Sequence, residues 1–267
     1  MRHYYLLVLL LLALCLGCQW GMKSSEESSH DERVKIERYD RIETLFLTTG
    51  DYSALQQMNT DYSLQTRTLI ENVLQLGNVD ERDINSRFFG FYQDTTLQAI
   101  ISEVQHQYED MDDVTKELAT AFERLKHLLP DVRIPHVYTQ ITALDQSIVV
   151  GDGLLGISLD KYLGADYPLY QRYGYSDRQR QMMSREFIVP DCISFYLLSL
   201  YPSSDVHSQI PKIQYVVNQV MGRTIFDDEQ VSQVGTFMNA HRGMTIDSLL
   251  KICTQNTKLD SITNGPS

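Results

Sequence analysis

The chain has 267 residues and a formal net charge of −12 at pH 7. An acidic balance with no dense Lys/Arg patch excludes a nucleic-acid footprint. Once the N-terminal leader and linker are set aside, about 235 residues remain, enough for one sizeable hydrophobic core.

The first residues, MRHYYLLVLLLLALCLGCQW, place Arg2 before an apolar run from Leu6 to Leu16, a small Gly17 and then Cys18. That order is a secretory signal peptide over residues 1–17. The run is too short for a bilayer span, which takes about 20 apolar residues as a helix. A cysteine directly after a small residue predicts lipidation of Cys18: the thiol takes diacylglycerol, the chain is cut after Gly17 and the new amino terminus is acylated. The usual lipobox carries Leu three residues before the cysteine, whereas Cys15 stands there and Leu14 lies one step out. Cys15 is the poorer acceptor because the bulky Leu14 precedes it.

Residues 18–32 contain the polar, Ser-rich and acidic run QWGMKSSEESSHDE and read as a lipid-anchored tether, since they bury too little apolar surface to offset ordering entropy. A sorting signal within that acidic run is the alternative. Residues 33–267 then read as a single, mainly helical domain with strands near 136–159. The expected class is α+β, predominantly α-helical with a small β-sheet in the middle of the chain.

In order, Val34 to Asp40 reads as a short strand, followed by a helix with Ile42, Leu45 and Phe46 on its inner face, closing at Gly50. A second helix is expected over Tyr62 to Leu76, with Leu64, Leu69, Val73 and Leu76 as its stripe and Gly77 as its C-cap. DTTLQAIISEVQHQYE and DDVTKELATAFERLKHLLPD are amphipathic packing helices, the latter with acidic residues first and Lys126 and His127 last. Strands follow near His136 to Ile141, Ser147 to Val150 and Leu154 to Leu159, with turns at Leu144 to Gln146 and Gly151 to Gly153. The remainder is helical over about Arg178 to Glu186, Cys192 to Tyr201, Ile210 to Met221, Asp228 to Ala240 and Thr245 to Cys253.

Gly151, Gly153 and Gly156 have the G-x-G-x-x-G spacing of a dinucleotide loop, but Leu-Leu-Gly-Ile-Ser-Leu after Gly153 continues a strand instead of opening a helix. The spacing therefore predicts a hairpin turn, with Gly151 and Gly153 at positive φ and Gly156 at a bulge or close contact, and no cofactor. No two of the seven histidines stand three or four apart, so there is no H-E-x-x-H zinc helix. Gly156-Ile157-Ser158-Leu159-Asp160 fails the nucleophile-elbow pattern at its last residue. Cys192 in IVPDCISFYLL reads as a buried thiol, with a nucleophile or a pairing with Cys253 as alternatives. His106 and His127 read as surface or packed histidines.

The densest polar and aromatic cluster is SLDKYLGADYPLYQRYGY. Asp160, Tyr162, Asp166, Tyr167, Tyr170 and Arg172 form a candidate binding surface, aromatic with a few charges. The competing expectation is that Asp160 caps a helix start while the tyrosines pack with their hydroxyls satisfied.

VKIERYDRIETLF, FYQDTTLQAIISEVQHQYED, LKHLLPDVRIPHVYTQIT, GLLGISLDKYLGADYPLY and REFIVPD, in order over Val34 to Asp191, resemble the GldB family of gliding-motility-associated lipoproteins. The most specific stretch is Gly156 to Gly164. The resemblance implies an envelope lipoprotein linked to gliding motility and its secretion apparatus, held to a membrane through Cys18 and working with envelope protein partners. It places the chain in a Gram-negative envelope, on the outer membrane ahead of the inner, facing the periplasm or the cell surface. It implies no catalytic residue set. The family is distantly similar to zincin-type peptidases, whose metal-binding helix would correspond to Ile188 to Phe195; without histidine there, this chain would be a non-catalytic derivative. After about Pro202 the chain departs from the family's pattern. The functions that follow are a non-enzymatic interaction or assembly component, a metallopeptidase or other hydrolase with scattered ligands, and a ligand-binding envelope module.

Overall fold

A computed structural model of the chain describes residues 34–252; Cys18, its tether and Cys253 lie outside them. The first element is a two-residue strand, β1 (Ile36–Glu37), and α1 (Tyr39–Thr49) follows at once, closed by Gly50 at φ 70. The inner face of α1 holds Phe46 and, partly buried, Ile42 as expected, but not Leu45. Tyr39, Glu43, Phe46 and Leu47 point inward while Leu45 is 42% exposed. Hydrophobicity alone misplaced Leu45 because Glu43 is an inward polar residue with a partner in the loop that leaves β2.

Asp51 caps α2 (Tyr52–Thr60), its carboxylate accepting from the backbone N–H of Ser53 at 2.7 Å and of Ala54 at 3.2 Å. The expected helix over Tyr62 to Leu76 is present only in part. It starts as α3 (Ser63–Arg67) and passes into a π-helical turn at Thr68–Val73. The extra residue of the π turn lets Leu69, Ile70 and Val73 face the core while Leu64 stays outside. The chain stops at Gln75 in the left-handed region (φ 52), with Leu76 N–H bonded to Ile70 carbonyl, so Gln75 rather than Gly77 makes the reversal.

α4 (Ile84–Phe91) was not visible as a separate element in the sequence pattern. α5 (Thr95–Gln107) begins at Asp94, which caps Thr96 and Leu97, and α6 (Asp112–Leu128) carries Asp112 and Asp113 in its first turn and Lys126 and His127 in its last, as the helix dipole favours.

Three strands follow: β2 (His136–Gln140), β3 (Ile148–Gly151) and β4 (Leu154–Ser158). The sheet order is β1-β2-β4-β3, with β1, β2 and β4 parallel and β3 antiparallel to β4. The chain thus leaves β2, runs out to the edge as β3 and returns by a hairpin into the middle of the sheet. Asp152 (φ 52) and Gly153 (φ 76) form the hairpin turn. Gly151 is not at positive φ, because a two-residue loop takes its left-handed pair from the central positions.

Directly opposed residues share a face, so Tyr138, Gly156 and Val149 line up across the sheet. Gly156 is needed there: a Cβ would lie 2.6 Å from Tyr138 Cζ and Oη. Tyr39 packs edge-on against the same Tyr138 ring at 6.1 Å, which fixes α1 over this face.

After β4 come a 3₁₀ turn (Leu159–Lys161), α7 (Pro168–Arg172), α8 (Asp177–Met182) and a second 3₁₀ turn (Arg185–Phe187), which runs into α9 (Ile188–Leu200). α10 (Val206–Met221), α11 (Glu229–Ala240) and α12 (Ile246–Lys251) complete the described chain. α9 packs on β3 and β4, and α6 and α10 pack against α9. α10 ends at Gly222 (φ 67), where Arg124 from α6 donates to the Val220 and Met221 carbonyls at 3.1 and 2.8 Å. The class is α+β, predominantly helical with a small mixed sheet.

The Gly156–Tyr138 contact is testable by unfolding. Gly156→Ala should destabilise by about 1–3 kcal/mol through overpacking. In a Tyr138→Leu background, which removes the ring tip, the same change should cost little, and urea melts of the four variants give the coupling.

Candidate functional site

The strand-to-helix junction after β4 gathers nearly every polar side chain singled out in the sequence. Asp160 is fully buried. Its Oδ1 accepts from Thr142 N–H at 3.0 Å and its Oδ2 from Leu144 N–H at 2.5 Å. The loop it grips contains Ala143 at φ 54 and Leu144 at φ 67, two non-glycine residues in left-handed backbone. Such conformations cost of order 1–3 kcal/mol each and persist only where the surroundings over-determine them. Asp160 therefore caps the loop leaving β2 and not the helix start that follows it. Burial raises its carboxyl above the ordinary range, and the two backbone donors oppose that rise.

The same loop is held from other directions. Glu43 Oε2 accepts from Ile141 N–H at 2.9 Å, and Tyr92 donates its hydroxyl to Ile141 carbonyl at 2.6 Å. The Leu144 carbonyl accepts from Lys161 Nζ at 3.2 Å and from the Tyr175 hydroxyl at 3.1 Å, with Lys161 also over the Tyr175 ring. Burial pushes the Glu43 carboxyl well up, with nearby Asp160 and Asp40 adding to the rise. Its Oε1 has no hydrogen-bond partner among the described residues, which fits a carboxyl held protonated.

A second set of contacts ties this junction to α9. Tyr170 takes the Leu163 N–H at 2.8 Å and gives its own proton to Asp160 carbonyl at 2.7 Å. Tyr108 donates to Tyr162 carbonyl at 2.6 Å, and Tyr162 donates to Asp191 Oδ2 at 2.8 Å. Arg185 makes a two-pronged pair with Asp113 (2.9 and 2.6 Å), donates to the Gln107 and Asp110 carbonyls and lies 4.9 Å from the Tyr108 ring centre. Asp191 is pushed up to about 7 by burial, partly offset by the Tyr162 hydroxyl.

Three of the six candidate surface residues, Asp160, Tyr162 and Tyr170, are at most 1% exposed. Their side chains face the interior and the surface expectation is corrected for them: each polar atom is spent on backbone or on another buried side chain. Asp166 and Arg172 are exposed and Tyr167 half-buried, with the exposed Tyr173 beside them, so these form what remains of a surface at this junction. Glu43, Lys161, Tyr175 and Asp191 belong to the same network but were not singled out. Glu43 had a detectable signal, a carboxylate at helical spacing from Tyr39, Phe46 and Leu47.

Cys192 is buried and its thiol is pushed up by that burial, the opposite of what a nucleophile needs. Its proposed pairing partner, Cys253, lies outside the described residues, as does the lipidation residue Cys18. Among the described residues no three of His, Cys, Asp and Glu are grouped so as to hold a metal ion, and none of their helices is long and apolar enough to cross a membrane.

The family described as "Gliding motility protein GldB" matches residues 22–227 of the chain. The chain belongs to that family, and the match runs past the point near Pro202 where the sequence pattern was expected to depart, through the whole of α10. No curated protein and no solved structure matches it.

Asp191 gives the network a pH signature. With a folded value near 7 against an ordinary value of about 4, the folded state binds the extra proton in between, so stability is fullest below pH 4, declines from about 4 to 7 and is level above. Asp191→Asn should flatten that decline and stabilise the protein above pH 7. The shift caps the gain at about 4 kcal/mol, and solvent reaching this half-buried carboxyl reduces it to about 1–2; chemical unfolding at pH 4, 6 and 8 measures it. Asp160→Asn should cost about 1–3 kcal/mol by leaving one loop N–H unpaired, read in the same melts.

Proposed function

We propose that this family member is a lipid-anchored, non-enzymatic component of the bacterial envelope that serves gliding-motility machinery by binding other envelope proteins. The observation that carries this reading is the fate of the chemistry-bearing cluster after β4. Asp160, Tyr162, Tyr170, Lys161 and Tyr175 are all engaged in holding backbone or one another. A reacting group needs a free atom facing substrate, and these atoms are committed. What the junction offers to solvent is Asp166, Tyr167 and Arg172, with Tyr173 beside them.

The anchor follows from Gly17-Cys18 behind an eleven-residue apolar run. Two or more acyl chains hold a protein stably at a membrane, whereas one gives only marginal binding. The acidic, Ser-rich stretch behind Cys18 supports a tether that lets the body work in water. On this reading the protein sits on the outer membrane and faces the periplasm or the cell surface.

Cys18→Ala should abolish incorporation of labelled palmitate and move the protein from the membrane fraction to the soluble one; a variant still labelled would refute the anchor. Photo-crosslinking from position 166 in living cells should yield discrete adducts with envelope proteins, reduced about tenfold by Tyr167→Ala with Arg172→Glu. Unchanged adducts would remove this face from the interaction.

A further inference from the structure

β3 is an edge strand, and one side of its backbone is unused. The hairpin register pairs Gly151 with Leu154 and Val149 with Gly156, and Ser158 N–H bonds Ser147 carbonyl. In an antiparallel ladder the residues between, Ile148 and Val150, turn their N–H and C=O away from the partner strand. Neither residue's backbone has an outward partner among the described residues.

Cavities meet this edge from both faces of the sheet. On the side of α9 lies one of about 590 Å³, its apolar wall formed by Leu129, Val132, Val150, Leu154, Tyr196 and Leu200. On the side of Tyr138 and Val149 lies a smaller one of about 250 Å³, with Thr68, Asn72 and Gln146 in its wall. An extended chain laid along β3 points successive side chains to opposite faces, so one would enter the larger cavity and the next the smaller one.

Charge decides the occupant. Asp145 and Asp152 bracket β3, neither with an ion pair among the described residues, whereas the larger cavity carries both signs, Asp131 and Asp247 with Arg133 and Lys251, so the bias toward positive charge comes from the two strand ends. A second copy of β3 laid antiparallel would set Asp145 of one chain near Asp152 of the other, and like charges facing across strands repel. A strand with lysine or arginine at its ends meets opposite charge at both.

We propose that the free edge of β3 receives an extended segment of another polypeptide as a fifth strand, apolar side chains in the 590 Å³ cavity and basic side chains against Asp145 and Asp152. The mode is strand addition, in which main-chain hydrogen bonds supply affinity and pockets for alternate side chains supply selectivity. This surface is separate from the Asp166–Arg172 face and is independent of lipidation at Cys18.

The test uses full-length protein in detergent micelles and a fluorescein-labelled Lys-Thr-Leu-Thr-Leu-Lys peptide, followed by anisotropy. Two control peptides replace both Lys by Glu or both Leu by Asp. The basic peptide should bind, with affinity falling as salt rises, and each control should bind at least tenfold more weakly. Val150→Pro removes the outward N–H, a change tolerated on an edge strand, and should weaken binding at least tenfold. Asp145→Asn with Asp152→Asn, where Asn tolerates the left-handed backbone of residue 152, should weaken it about tenfold and flatten the salt dependence. Should Val150→Pro fail to give a native circular dichroism spectrum, the Asn pair and the salt series decide alone. The proposal is overturned if the basic peptide does not bind at millimolar concentration, if the acidic peptide binds equally, if a folded Val150→Pro binds as before, or if the Asn pair leaves affinity and salt dependence unchanged. Self-association that Val150→Pro abolishes, without peptide binding, would assign the edge to a second copy instead.

Discussion

The described structure depends on one buried carboxylate. The sheet needs its chain to leave β2, pass to the outer edge and return, and it makes that passage in a loop of seven residues between Gln140 and Ile148. So short a detour forces Ala143 and Leu144 into left-handed backbone and turns the Thr142 and Leu144 N–H groups toward the protein interior. Buried donors without partners would cost about 1–3 kcal/mol each. Asp160 supplies both partners from the 3₁₀ turn that directly follows the return strand β4, so the loop and the return strand stabilise one another.

This mutual dependence explains why the most family-specific stretch, Gly156 to Gly164, contains so little exposed chemistry. Gly156 leaves room for Tyr138, Asp160 binds the crossing loop, Lys161 binds that loop's carbonyl and Tyr162 reaches Asp191 at the start of α9. Arg185, from the other motif segment, closes the far side by tying the α5–α6 turn to the chain entering α9. Motif residues separated by tens of positions thus meet in one buried polar network. Charged groups in such a network act strongly because the surroundings are poorly polarisable, and the bonds of Asp160, Lys161, Tyr162 and Tyr170 make the junction rigid. A rigid junction is a suitable base for contact surfaces built on either side of it.

Much of this organisation is legible in the sequence where the signal is local. The α5 and α6 helices announce themselves by periodicity and by Asp94, Asp112, Asp113 and Lys126 at their ends, and the Asp152-Gly153 turn is readable because the strand pattern continues on both sides. Long-range facts are not legible. Nothing in Val34 to Asp40 says that its strand runs parallel to β2, about 100 residues away, and the alternation of β3 and β4 does not reveal that β3 lies outside. On α1, Phe46 and Ile42 are legible as inward, but Leu45 takes the place of Glu43 in that reading because a buried, bonded Glu43 looks like a surface residue to any hydrophobicity scale. Beyond α3, Leu69 and Val73 face the core as expected, and only Leu64 was misread, because a π turn shifts the stripe by one residue. The tyrosine-rich segment was ambiguous for a related reason, since composition cannot tell whether a phenol finds its partner inside or in water.

The sheet order also gives the body a direction. β1 lies at one edge of the sheet, and the unpaired backbone of β3 lies at the other, three strand spacings or about 14 Å away. Exposed edges invite unwanted pairing, and proteins blunt them with charge. At β1 the edge is only two residues long, too short to template another strand. At β3 the edge is four residues long, carries apolar side chains and is guarded by acidic groups at its ends, Asp145 and Asp152. Acidic guards reject a second acidic copy of the same strand yet leave a basic segment welcome. An edge flanked on both faces by cavities, with unused hydrogen-bonding groups between them, is protected against its own kind and open to a complementary one.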